Sequence, residues 1–61
     1  MKRITVLVAD DHVVMRAGLV ALLKGEPDLE VIGDVSDGDE ALRRIEAMRP
    51  DVAVLDIGIR R

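Results

Sequence analysis

The sequence predicts an α/β domain, a three-stranded parallel sheet in a βαβαβ arrangement with strand order 2-1-3. Three observations lead there. Strand-like and helix-like segments alternate strictly along the 61 residues. The strand segments are almost continuously apolar, the pattern of strands covered on both faces. Only two helices serve three such strands, so they must divide between the faces of the sheet. In the order 1-2-3, both right-handed crossovers would put their helices on one face. If the third strand instead returns to the other side of the first, each face receives a helix, which favours 2-1-3.

The first strand is Ile4-Thr5-Val6-Leu7-Val8-Ala9, rich in β-branched residues. Val13 to Lys24 reads as a helix, because Met15, Leu19, Leu22 and Leu23 recur at i, i+4, i+7 and i+8, with Arg16 and Lys24 off that stripe. Gly25 and Pro27 end it. Glu30 to Val35 forms the second strand, interrupted by Gly33. Asp37 stands three residues before Glu40, a capping-box-like start for a helix with Ala41, Leu42, Ile45 and Met48 on its apolar face. On its other face Asp39 pairs with Arg43 and Glu40 with Arg44 at i, i+4. Pro50 closes this helix, and Val52-Ala53-Val54-Leu55 is the third strand, delivering Asp56 at its end. Met15 and Met48 read as core residues.

Composition narrows the function. There is no cysteine, which excludes a disulfide framework and thiolate metal sites. Phe, Tyr and Trp are all absent, so the core must come from Val, Ile, Leu, Met and Ala, and stability should be thin for a chain this short. The net charge of −3 argues against direct nucleic-acid binding by this chain, and against an anionic membrane surface. Lys2 and Arg3 precede an apolar run, but it stops at Asp10-Asp11, too soon for a secretory h-region. No segment approaches the roughly 18 apolar residues of a membrane span. The expected localisation is cytoplasmic.

Strand order 2-1-3 makes the first and third strands neighbours, so Asp10, Asp11 and Asp56 meet in one crevice at the carboxyl ends of the strands, where ligands of open α/β sheets bind. The turn after the first strand, Asp10-Asp11-His12-Val13, has no glycine, which excludes a dinucleotide fingerprint and a P-loop. Converging carboxylates repel unless something cancels their charge, and Mg²⁺ is the natural partner, with its preference for oxygen ligands and phosphate. A carboxylate beside such an ion can accept a phosphoryl group as an aspartyl phosphate. Taken singly, Asp10 or Asp11 could be no more than a helix cap and Asp56 a loop residue; their joint placement carries the reading. His12 reads as an exposed histidine at the helix start, and Arg43-Arg44 as a solvated face.

Several stretches resemble the response-regulator receiver domain: Val6-Leu7-Val8-Ala9-Asp10-Asp11-His12, Arg16-Ala17-Gly18-Leu19, Asp37-Gly38-Asp39-Glu40-Ala41-Leu42, Arg49-Pro50-Asp51-Val52 and Leu55-Asp56-Ile57. The Asp-Asp-His opening and Arg-Ala-Gly-Leu are similar to the NarL/FixJ subfamily, whose receivers precede a helix-turn-helix output domain. The resemblance covers residues 4 to 57 and implies a CheY-like, flavodoxin-like fold. It implies that Asp56 is the phosphoryl acceptor, that Asp11 binds Mg²⁺ directly with Asp10 acting mainly through water, and that the backbone carbonyl of Gly58 is a further ligand. It also implies a sensor histidine kinase as donor, in a two-component phosphorelay that regulates transcription.

After the acceptor the chain reads Ile57-Gly58-Ile59-Arg60-Arg61, where the family usually has a Met-Pro step. The expectation is a partial receiver spanning residues 1–61, truncated after its βαβαβ half, without later strands, output domain, or the family's hydroxyl, lysine and aromatic switch residues. It is read as a phosphoacceptor and not as an enzyme. Exposure of the third strand's edge leads to an expectation of homo-oligomers, by edge pairing or exchange of elements. The alternative is a phosphorylation-incompetent, self-associating interaction module. Haloacid-dehalogenase-like phosphohydrolases also form an aspartyl phosphate, but they want a second Asp two residues after the nucleophile, where Gly58 stands.

Overall fold

A computed structural model of the chain describes residues 2–56. The elements run β1 (Ile4–Asp10), α1 (Val13–Lys24), β2 (Leu29–Val35), α2 (Gly38–Met48) and β3 (Val52–Asp56), and the parallel sheet has the order β2-β1-β3. Architecture and order are those expected from the sequence. β1 and β3 each extend one residue further than the apolar pattern alone, ending on Asp10 and Asp56, and β2 begins one residue earlier, at Leu29.

β1 is the centre of the molecule. It is hydrogen-bonded on both edges and has a helix on each face, so Val6, Leu7, Val8, Ala9 and Asp10 are all at most 3% exposed. Alternation divides these side chains between the faces. Ala9 packs with Val35 of β2 and Ala41 of α2, whereas Asp10 lines a groove with residues of α1. β2 pairs in step from Ile4↔Leu29 to Val6↔Val31, then shifts so that Leu7 pairs with Gly33 and Ile32 is left over as a bulge. The interruption expected at Gly33 is thus a register shift within a continuous strand. A Cβ on Gly33 would lie 3.3 Å from both Arg44 Nη1 and Leu7 Cδ1, so glycine lets α2 sit close over this edge.

α2 starts as its sequence demands: the Asp37 carboxylate accepts a hydrogen bond from Glu40 N at 2.8 Å. Glu40 takes both arginines, Arg43 at 2.8 Å and Arg44 at 3.0 Å, so Arg43 turns to Glu40 at i, i+3 and not to the expected Asp39. These contacts, Arg43 first, hold the Glu40 carboxyl below its ordinary range. The helix ends on Arg49, a non-glycine residue in the left-handed region (φ 49°), whose N–H bonds to Ile45 O. α1 lacks a side-chain cap at His12 and ends at Gly25, which keeps a right-handed helical φ.

The core is narrower than the helical stripes suggest. Met15 (61%), Leu22, Leu42 and Met48 (41%) are exposed, while Leu19, Leu23 and Ile45 are half-buried. This corrects the reading of Met15 and Met48 as core residues. The cause is geometric: α1 contacts β1 and β2, and α2 contacts β1, so each helix covers the middle of a narrow sheet. Val52 and Leu55 on β3, and Val14 on α1, stay exposed in consequence.

β3 is pinned at its start by a reciprocal clamp. Asp51 Oδ2 accepts from Thr5 N (2.9 Å) and Thr5 Oγ1 (3.1 Å), while Asp51 N donates to Thr5 Oγ1 (2.8 Å). The Thr5 backbone N–H, then its hydroxyl, lowers the Asp51 carboxyl below its ordinary value. A lowered carboxyl stabilises the fold above its unfolded-state pKa and loses that contribution as pH falls through the folded-state value. The melting-temperature advantage of the parent over Asp51→Asn should therefore be constant near neutrality and shrink below about pH 4; a pH-independent difference would contradict the clamp. Arg49→Gly should stabilise the chain by about 0.5–1 kcal/mol by relieving the left-handed strain, read as a melting point a few degrees higher.

Candidate acidic site

The site is assembled where β1 stops. Asp10 is its last residue, 1% exposed, and a buried carboxylate must be compensated by donors. Asp10 Oδ1 accepts from His12 N at 2.8 Å and lies 3.2 Å from His12 Nδ1. Its backbone carbonyl accepts from Arg16 Nη1 at 2.8 Å. Asp11 projects from the turn with its side chain 24% exposed. Its Oδ1 lies 3.0 Å from His12 Nδ1, within ion-pair distance, yet has no hydrogen-bond partner although the atom is buried.

Ligand atoms of Asp10, Asp11 and His12 all lie within 4.8 Å of one another. Asp56 enters from the neighbouring strand. It is the register partner of Asp10 across the β1–β3 ladder, on the same face of the sheet, and its exposed side chain lines with Asp10 one end of an open apolar groove beside Val14, Met15 and Gly18. Asp10 and Asp56 thus stand side by side at the ends of adjacent strands, and Asp11 follows Asp10 in the turn. The compact cluster among the described residues comprises Asp10, Asp11 and His12, with Asp56 standing beside it. Gly58 lies outside the described residues.

Carboxylate oxygens from consecutive residues, one of them a buried oxygen with no donor, suit a hard divalent cation such as Mg²⁺, which takes oxygen ligands and keeps several waters. Two residues were under-read in the sequence. His12 is exposed as expected, with its side chain 68% accessible, but its ring folds back over both carboxylates. Arg16, which stands off the apolar stripe and opens the Arg16-Ala17-Gly18-Leu19 stretch, reaches the end of β1. No local pattern marks it, since a residue off the stripe reads as solvent-facing; the packing of α1 on β1 and β2 brings its guanidinium there.

The sheet order, with acidic residues where it reverses, is that of a doubly wound α/β domain. The family model for the response regulator receiver domain matches residues 6–61, and the chain belongs to that family. It is 50% identical over 54 residues to the DNA-binding transcriptional activator DevR/DosR of Mycobacterium tuberculosis, covering 88% of this chain and 25% of that protein. It is 48% identical over 54 residues to the transcriptional regulatory protein LiaR of Bacillus subtilis, covering 88% and 26%. A protein-glutamate methylesterase/protein-glutamine glutaminase of Geobacillus kaustophilus is 51% identical over 57 residues, covering 93% of this chain and 16% of the relative. The chain therefore spans about a quarter or less of the length of these relatives. No solved structure gives a significant match. No helix among the described residues is long and apolar enough to cross a membrane.

Proposed function

We propose that the chain is the phosphoacceptor part of a two-component response regulator, phosphorylated on Asp56 in a Mg²⁺-dependent reaction with a sensor histidine kinase as donor. The observation that carries this is the pairing of Asp10 with Asp56 across the β1–β3 ladder, with Asp11 in the adjoining turn. Asp10, Asp11, Asp56 and the Gly58 carbonyl are the proposed metal ligands. When bound, the cation neutralises charge on the transferring phosphoryl oxygens. The Asp56 carboxylate oxygen attacks phosphorus in line as the bond to the donor's imidazole nitrogen breaks, leaving the donor histidine neutral once it takes up a proton. The His12 N–H fixes the Asp10 carboxylate, and Arg16 holds the turn from which both acids project.

The chain is proposed to be a non-enzymatic, cytoplasmic receiver segment of residues 1–61, in a protein that regulates transcription. DevR/DosR and LiaR, both named as transcriptional regulators, support that assignment over the methylesterase relative, because the Asp10-Asp11-His12 and Arg16-Ala17-Gly18-Leu19 stretches are similar to the NarL/FixJ subfamily.

Acetyl phosphate with Mg²⁺ should add one phosphoryl mass to the chain, and Asp56→Asn should abolish the addition; equal labelling of parent and variant on intact mass would refute the assignment.

A second proposal concerns association. Val14, Met15 and Leu22 are exposed on α1, Val52 and Leu55 on β3, and β3 pairs with β1 alone among the described residues. Apolar surface beside an unpaired strand edge favours self-association. Sedimentation velocity on the 61-residue chain should show a concentration-dependent shift from monomer to dimer at micromolar protein, whereas a single monomer boundary throughout would refute it.

A further inference from the structure

Arg16 belongs to the helix, yet its guanidinium does its bonding at the end of the sheet. Nη1 donates to the Asp10 carbonyl at 2.8 Å, and Nε lies 3.9 Å from Asp34 Oδ2 on β2. The side chain is only 20% exposed, whereas Asp34 is 47% exposed. One planar group therefore ties α1 to the carboxyl ends of both β1 and β2. The carbonyl it holds is that of the residue whose peptide leads directly into Asp11, the acid with the unpartnered buried oxygen. On the other side of the same residue, His12 N fixes the Asp10 carboxylate. Asp10 is gripped at backbone and side chain by donors from two successive parts of the chain.

We propose that Arg16 is a positioning residue for the acidic pair: by holding the Asp10 carbonyl it sets the direction in which the Asp11 carboxylate leaves the turn, and so the affinity of the site for a divalent cation. The inference rests on the proposed metal-binding role of Asp10 and Asp11. Its sign separates it from the obvious electrostatic alternative. A guanidinium near a cation site repels the cation, so if charge were its only contribution, neutralising Arg16 would tighten Mg²⁺ binding. If Arg16 holds the turn, neutralising it loosens Asp11 and weakens binding, as loss of an outer partner does in metal sites, by roughly 10-fold.

The test is Mg²⁺ titration calorimetry on the 61-residue chain, with far-ultraviolet circular dichroism recording the folded fraction of each variant. Arg16→Met is expected to raise the Kd about 10-fold. Arg16→Lys keeps the charge but not the planar fork, and is expected to raise it by a smaller factor, about 3-fold. A Kd for folded Arg16→Met equal to or lower than the parent's would overturn the inference. Should Arg16→Met fail to fold, Arg16→Lys decides alone, because a charge-conserving variant that matches the parent excludes positioning by the guanidinium. A reversibly part-folded variant raises the apparent Kd only by the reciprocal of its folded fraction, so a Kd that equals the parent's after that correction also overturns it. Parent and Asp11→Asn giving identical isotherms would instead refute the metal site itself, and the positioning role with it.

Discussion

A single strand carries the molecule. β1 is hydrogen-bonded to a parallel neighbour on each edge and covered by one helix on each face, and the stretch from Val6 to Asp10 is removed from solvent almost completely. Every other element is placed by reference to it. α1 and α2 lie where they can cover it, β2 and β3 where they can satisfy its backbone groups, and the acidic turn where it ends. Burial of that strand also explains why a carboxylate can be 1% exposed at its last position: the N–H of His12 arrives in the turn to meet it, and Arg16 crosses from α1 to the carbonyl behind it.

The same economy leaves a wide apolar surface. Two helices over three strands can bury the middle of the sheet but not its β3 side, so the exposure of Val14, Met15 and Leu22 follows from layer geometry and not from any polar habit of the helix. The open groove between α1 and β3 and the acidic crevice adjoin one another, sharing Asp10 and Asp56. Whatever covers the groove will therefore bear on the environment of the acids.

Local electrostatics are spent on geometry more than on charge balance. Glu40 gathers both Arg43 and Arg44 on an exposed helix face, where such pairs are worth little individually. The Asp51–Thr5 clamp is equally exposed, yet it fixes how β3 enters the sheet, and with it the register that brings Asp56 opposite Asp10. A shift of one residue there would turn Asp56 to the other face of the sheet. Arg49, held at a left-handed φ, shows the chain accepting strain to turn from α2 into β3 within a few residues.

The sequence by itself determined the order and type of the elements, the parallel sheet and its 2-1-3 arrangement. Near-continuous apolar strands and two amphipathic helices leave few topologies that cover both faces. It also placed Asp10, Asp11 and Asp56 at strand ends, since those residues stand where apolar runs stop. Only the tertiary structure decided which apolar residues are buried: periodicity marks the face of a helix that prefers to be covered, but the width of the sheet beneath sets how much of that face finds a partner, so Met15, Leu42 and Met48 remain outside. The bulge at Ile32, the choice of Glu40 by Arg43, and the reach of His12 and Arg16 to the acidic turn likewise depend on distances between segments that no local pattern encodes. In the acidic site the types of the acids were legible from the chain, and the side chains that hold them were not.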